Sequence, residues 1–187
     1  MTDPLTASRD RSTEPIEQFT IADIHPSDFV SANFQVHKLL KSETAVRCGI
    51  VNVFESDKQL RSAIHLCRKI LQPLHTLYGP FSPNSVFRNQ AVERAMKNKP
   101  SSWTSTSQHT LGEAGDIEHS RMSNLALATW IRDHYEFDQL ILECYTPSIP
   151  ASGWVHVSLK RFGPNKQQVL SYIKDGSAWK YVDGFAV

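Results

Sequence analysis

The period of the apolar residues changes once along this chain, and that change constrains the fold more than anything else in the sequence. Across residues 57–78, Leu60, Ile64, Cys67, Ile70, Leu71, Leu74 and Leu77 recur at helical spacing, and Gly79-Pro80 ends the run. Pro73 lacks an amide donor and crowds the preceding turn, so it predicts a kink or an early stop. A short strand broken by Pro83 is expected over 81–88. A second helix is expected over 88–97, with Ala91, Val92 and Ala95 facing inward, and a polar loop follows. Ser123 is the expected N-cap of a third helix over 124–134, which packs through Leu125, Ala128, Trp130 and Ile131. Beyond it the period falls to two: 139–145, 154–160, 167–173 and 178–182 are short β-rich runs separated by Pro, Gly, Asn and Ser. Helices early and strands late, without strict alternation, imply an α+β domain in which helices pack on a small antiparallel sheet.

The chain of 187 residues is long enough for one such core and shows no second linker. Residues 1–18 are polar and rich in Pro, Ser and Thr, and read as a flexible N-terminal arm; residues 19–187 read as a single domain. A formal net charge of +1 gives no reason to expect a nucleic-acid or acidic-membrane partner. No stretch is apolar for long enough to span a bilayer, and the N-terminus lacks the layout of a secretory signal, so synthesis in a cytoplasm is expected. The three cysteines, Cys48, Cys67 and Cys144, are odd in number and widely spaced, which favours reduced, mostly buried thiols. Oligomeric state is open at this level.

Chemistry concentrates in two segments, SQHTLGEAGDI (107–117) and GWVHVS (153–158). Zinc binds imidazole nitrogen and carboxylate oxygen, and a catalytic zinc keeps one position for water. His109 and Asp116 are separated by a stretch containing Gly112 and Gly115, too glycine-rich for a helix but suited to a loop that turns back into a strand at Asp116-Ile117. His156 lies mid-strand, with Trp154 and Ser158 on its own face. Pairing of the two strands would bring His156 alongside Asp116, giving three metal ligands. Glu143 ends an apolar strand and precedes the His156 strand by one loop, so it is the candidate general base and acid. Arg88 is the candidate group for a developing oxyanion or a substrate carboxylate, which guanidinium grips with two hydrogen bonds. Ser107 either hydrogen-bonds substrate or shapes the loop. His25, His37, His65, His75, His119 and His134 read as packed or surface residues.

These segments resemble the zinc D-alanyl-D-alanine carboxypeptidase family of peptidoglycan peptidases, which includes vancomycin-resistance dipeptidases and many phage endolysins and shares its fold with the Hedgehog signalling domain. The family pattern, Ser-x-His, two residues, then Gly-x-Ala-x-Asp-Ile, is matched by Ser107, His109, Gly112, Ala114, Asp116 and Ile117. Its third-ligand strand is matched by Trp154 to Ser158, and its catalytic-carboxylate strand by Phe137 to Glu143. Its Ser-Gly-Tyr-Arg segment reads Ser85-Val86-Phe87-Arg88 here, and the usual Val-Gly-Gly stretch is replaced by AVERAMKNKP. The resemblance implies zinc-dependent hydrolysis of an amide in the peptidoglycan peptide stem or cross-link. A compact domain of this kind looks like a phage lysis enzyme or virion-associated peptidase, with a bacterial dipeptidase as the other origin. The competing readings are a non-catalytic zinc-binding domain and a virion structural domain of the same fold.

Overall fold

The computed structural model describes residues 8–186. A 3-10 turn, Ile16–Gln18, precedes a two-stranded ribbon, β1 (Phe29–Ser31) and β2 (Phe34–Gln35), and two short helices, α1 (Val36–Leu39) and α2 (Glu43–Cys48). The long helical stretch follows as α3 (Asp57–Leu66), a π turn (Cys67–Leu71) and α4 (Gln72–Tyr78). Next come α5 (Gln90–Met96), a second 3-10 turn (Gln108–Leu111), β3 (Ala114–Ile117) and α6 (Asn124–His134). The chain ends in β4 (Gln139–Glu143), β5 (Trp154–Ser158), β6 (Gln168–Asp175) and β7 (Ala178–Asp183).

Local sequence explains the element ends. Ser56 and Ser123 cap α3 and α6 by accepting hydrogen bonds from the amides of Gln59 and Ala126. Pro73 does not stop the helix. The π turn lets the Gln72 amide reach the Cys67 carbonyl, which resets the ladder so that Pro73 falls at the start of α4, where a missing amide forfeits no bond. The strand expected over 81–88 is instead an irregular segment with one isolated bridge, Ser85 to Asp116, because Pro83 interrupts its pairing. On α5, Val92 and Glu93 are buried and Ala95 is exposed, so the inward face differs from the expected one.

The main sheet has the order β3-β5-β4-β6-β7. Three of its pairings are antiparallel, as expected, but β4 and β6 run parallel. The reason is topological: the chain leaves β5 and returns on the far side of β4, so a strand antiparallel to β5 must be parallel to β4. Alternation along the strands then divides the sheet by chemistry. Ile117, Leu140, Leu142, Val155 and Val157 join a buried cluster with Leu127, Ala128 and Ile131 of α6 and with Leu60 and Ile64 of α3. Each fully buried aliphatic side chain there contributes about 1.5–3 kcal/mol. Asp116, Ile141, Glu143 and His156 point to the opposite face.

The flexible arm expected over 1–18 divides in two. Residues 1–7 lie outside the described residues, whereas the segment from Ser8 packs against the domain. Asp10 bridges to Phe29, Arg11 is buried over the Phe19 ring at 4.4 Å, and the Arg68 guanidinium donates to the carbonyls of Arg11, Glu14 and Val30. Arg9 and Arg11 also form ion pairs with Asp23, Asp28 and Glu14, so part of this polar segment is tied down by charge although most of it stays exposed. Of the three thiols only Cys67 is buried, and burial pushes its pKa up to about 12; Cys48 is exposed and Cys144 partly so.

Candidate metal centre

The site is assembled by glycine turns and one irregular segment. Gly112 ends the 3-10 turn with φ +73°, and a Cβ there would stand 2.3 Å from the Gln59 carbonyl oxygen. That close approach seats His109 against the helix layer and turns the chain back into β3. The β3–β5 register pairs Asp116 directly with His156. The segment from Ser85 to Arg88 clamps both ligand-bearing elements through its backbone. The Asp116 amide donates to the Ser85 carbonyl at 2.8 Å, and the Arg88 amide donates to the His109 carbonyl at 3.3 Å.

Three side-chain atoms converge. His109 Nε2 lies 3.2 Å from Asp116 Oδ1 and 3.2 Å from His156 Nδ1, and His156 Nδ1 lies 3.0 Å from Asp116 Oδ1. His109 donates its Nδ1 proton to the Val86 carbonyl at 2.7 Å, which leaves Nε2 as a lone pair aimed at the triangle. With His156 in the tautomer that leaves Nδ1 unprotonated, three acceptor atoms face one another at this separation, an arrangement that a cation between them satisfies. Ligand atoms held about 2.0–2.1 Å from a tetrahedral zinc lie about 3.3 Å apart, so the donor set fits such an ion in both chemistry and spacing. Among the described residues, no other group of His, Cys, Asp or Glu has this convergence, and the remaining six histidines stand outside it.

Electrostatics around the triangle point the same way. Burial pushes the His109 pKa down, against the pull of Asp116, and so favours the neutral ligand form. Burial pushes Asp116 up, but His109 and His156 outweigh it and hold the carboxyl well below the usual range. Glu143, whose side chain is 16% exposed, places Oε1 4.0 Å from His156 Nδ1. It stands beside the triangle without joining it. Burial raises its pKa, Asp116 adds to the rise, and His156 and Arg88 offset part of it.

Arg88 is engaged more deeply than its sequence reading implies. Nη1 donates to Asp116 Oδ2 at 2.8 Å and to Ser85 Oγ at 3.0 Å, and Nε donates to Glu93 Oε1 at 2.6 Å. One Asp116 oxygen thus faces the triangle while Arg88 holds the other. Only Nη2 has no partner among the described residues, and Arg88 borders the neighbouring cleft. Ser107 shapes the turn: its carbonyl accepts from the Thr110 amide and hydroxyl at 3.0 and 2.7 Å.

Two supporting carboxylates escaped the sequence reading. Glu93 is fully buried and accepts from Arg88, from Lys97 Nζ at 2.8 Å and from Ser105 Oγ at 2.9 Å. Nothing in its spacing separates it from an ordinary solvated helix glutamate. Asp138 is buried and ties the His109 turn to β4, accepting from Gln108 Nε2 at 3.0 Å and Lys160 Nζ at 2.7 Å. Its place next to the Gln139–Glu143 strand was the available signal.

The centre opens into a cleft of about 600 Å³, bordered by Glu143, Trp154, Tyr181 and the cationic side chains of Arg88, Lys97, Lys160 and Lys166. No curated protein matches the sequence. The family model for peptidase M15 matches residues 32–158, more than half of the chain, a span that includes Arg88, His109, Asp116, Glu143 and His156 but neither β6 nor β7. The chain therefore belongs to the peptidase M15 family of metallopeptidases.

Proposed function

We infer that the protein is a zinc-dependent peptidase that hydrolyses an amide bond in the peptide stem or cross-link of bacterial peptidoglycan, in the role of a phage lysis enzyme or virion-associated endolysin. The observation that carries this reading is the triangle of His109, Asp116 and His156 with the unligated Glu143 carboxylate 4.0 Å from one corner. A purely structural zinc normally takes a fourth protein ligand and has no use for a carboxylate in that position. Of the cations bordering the cleft, Arg88, Lys97 and Lys160 are paired with protein carboxylates, which leaves Lys166 and Arg88 Nη2 to meet a carboxylate of a stem peptide. Among the described residues no helix is long and apolar enough to cross a membrane.

Bound by His109, Asp116 and His156, zinc supplies Lewis acidity, which lowers the pKa of water to about 7 and polarises a carbonyl. Glu143 Oε1 takes the proton of the attacking water and returns it to the leaving amine. Arg88 fixes Asp116 through Oδ2 and presents Nη2 to the substrate carbonyl or carboxylate. Ser107 and Asp138 hold the turn that carries His109.

The test is mass spectrometry of muropeptides after digestion with purified protein, with and without chelator. New amine and carboxylate termini that vanish with chelator and return with zinc are expected. Intact muropeptides at full zinc occupancy would overturn the reading in favour of a non-catalytic zinc domain.

A further inference from the structure

The sheet face that carries His156 and Glu143 continues past β4. Cross-strand register aligns Trp154 of β5, Glu143 of β4, Tyr172 of β6 and Tyr181 of β7 in one row, because paired residues in neighbouring strands point to the same side. The half-buried Tyr172 ring lies 4.6 Å from Tyr181 and stacks on Trp179 at 5.3 Å. Tyr181 and Trp179 remain 57% and 45% exposed. Beside this row opens a second concavity of about 750 Å³, floored by Gln139, Ile141 and Leu170 and bordered by Gln168, Tyr181 and Asp183. It shares Gln139, Ile141 and Tyr181 with the catalytic cleft, so the two form one continuous groove. The family match ends at residue 158, so β6 and β7, which carry Gln168, Leu170, Tyr181 and Asp183, lie outside it, while Gln139 and Ile141 lie within it.

We propose that the second basin is a saccharide subsite, holding one N-acetylated hexosamine ring of the glycan strand to which stem peptides are attached; the proposal rests on the peptidoglycan reading above. A pyranose offers flat C–H faces and a rim of hydroxyls. A braced tyrosine ring takes the face, and planar amides and a carboxylate take the rim with paired hydrogen bonds. Gln139 Nε2 donates to Gln168 Oε1 at 2.8 Å, which fixes both amides before any ligand arrives. Ile141, Leu170 and Val182 are the aliphatic residues of the basin, and an acyl chain laid on them would leave the polar groups of Gln139, Gln168, Tyr181 and Asp183 facing it unpaired. Two strand spacings separate Glu143 from Tyr181, about 10 Å. An extended chain advances about 3.3–3.6 Å per residue, so a ring seated on Tyr181 lies about three residues from the bond at Glu143.

Two synthetic substrates test this: a stem peptide alone, and the same peptide linked to the N-acetylglucosaminyl–N-acetylmuramoyl disaccharide. The linked form is expected to be cleaved with a kcat/KM about tenfold higher, mainly through KM. Tyr181→Ala and Gln168→Ala should bring the two substrates to parity, while Tyr181→Trp, which keeps a flat ring, should retain the preference. Free disaccharide should shift the NMR resonances of Gln168 and Tyr181. Equal kcat/KM for the two substrates in the unaltered protein overturns the subsite and leaves the peptidase reading intact. If neither substrate is cleaved, the peptidase reading falls, and the disaccharide titration, which needs no turnover, still decides the subsite. A dimer that becomes monomeric on Tyr181→Ala would assign the basin to a second copy and overturn the saccharide role.

Discussion

Replacing Arg88 by Met separates two roles that the sequence alone would merge. The Arg88 side chain is 11% exposed and pairs with Glu93, fully buried, and Asp116, 13% exposed. Removing one member of a buried ion pair costs about 3–5 kcal/mol, because the remaining charge is left uncompensated. Glu93 keeps Lys97 and Ser105, which favours the lower end, about 3 kcal/mol. For a domain of this size that lowers the thermal midpoint of the metal-free protein by about 6–12 °C. Asp116 also loses the donor that fixes Oδ2, so zinc affinity should fall by about 10–100-fold. Circular dichroism melts in chelator and competition with a chromophoric zinc chelator measure the two effects separately. Arg88→Lys keeps the charge but not the fork, and should fall between. Wild-type zinc affinity and an unchanged midpoint in Arg88→Met, with only KM raised, would refute the argument and assign the guanidinium to substrate alone.

Glu143→Gln should reduce turnover by about 10²–10⁴-fold while keeping zinc stoichiometry, measured by elemental analysis beside a peptide assay. The same change should stabilise the metal-free protein above pH 4.5, where burial makes the native state bind the Glu143 proton more tightly than the unfolded chain; a higher urea midpoint for the unsubstituted protein at neutral pH would contradict this. Asp28 resists burial through hydrogen bonds from Arg9 and the His25 amide, and its pKa lies below 3.8. Asp28→Asn should therefore lower the thermal midpoint at neutral pH, with the deficit shrinking as the pH falls below 3.8; a deficit that does not shrink in acid would exclude the ion pair as its cause. Gly153→Ala forces a residue at φ +68° and a Cβ 1.9 Å from the Glu143 carbonyl oxygen. It should cost at least about 1–3 kcal/mol and reduce activity with zinc retained, and normal stability would show that this turn relaxes freely.

Much of the site is legible in the sequence because strand alternation is a local property. Trp154, His156 and Ser158 must share a face, so one strand pairing suffices to bring His156 to Asp116, and the β3–β5 register does so. Gly112 likewise marks the place where the chain turns, at φ +73°, before it enters β3. The helix over 124–134 is readable for a similar reason, since its cap and its stripe are both local. The parallel pairing of β4 with β6 is not readable, because it depends on which side of β4 the returning chain lands.

The sequence by itself determined the helices over 57–78 and 124–134, the late β-rich runs and the identity of the convergent residues, since side-chain chemistry and hydrophobic period are written residue by residue. Tertiary structure alone decided how those residues are held. The Ser85–Arg88 segment became a backbone clamp rather than a strand, Glu93 was drawn inside to hold Arg88, and residues 8–18 became part of the body. A charged side chain looks the same in a sequence whether it ends in water or against an opposite charge. Burial separates those outcomes, and burial is a property of the whole fold.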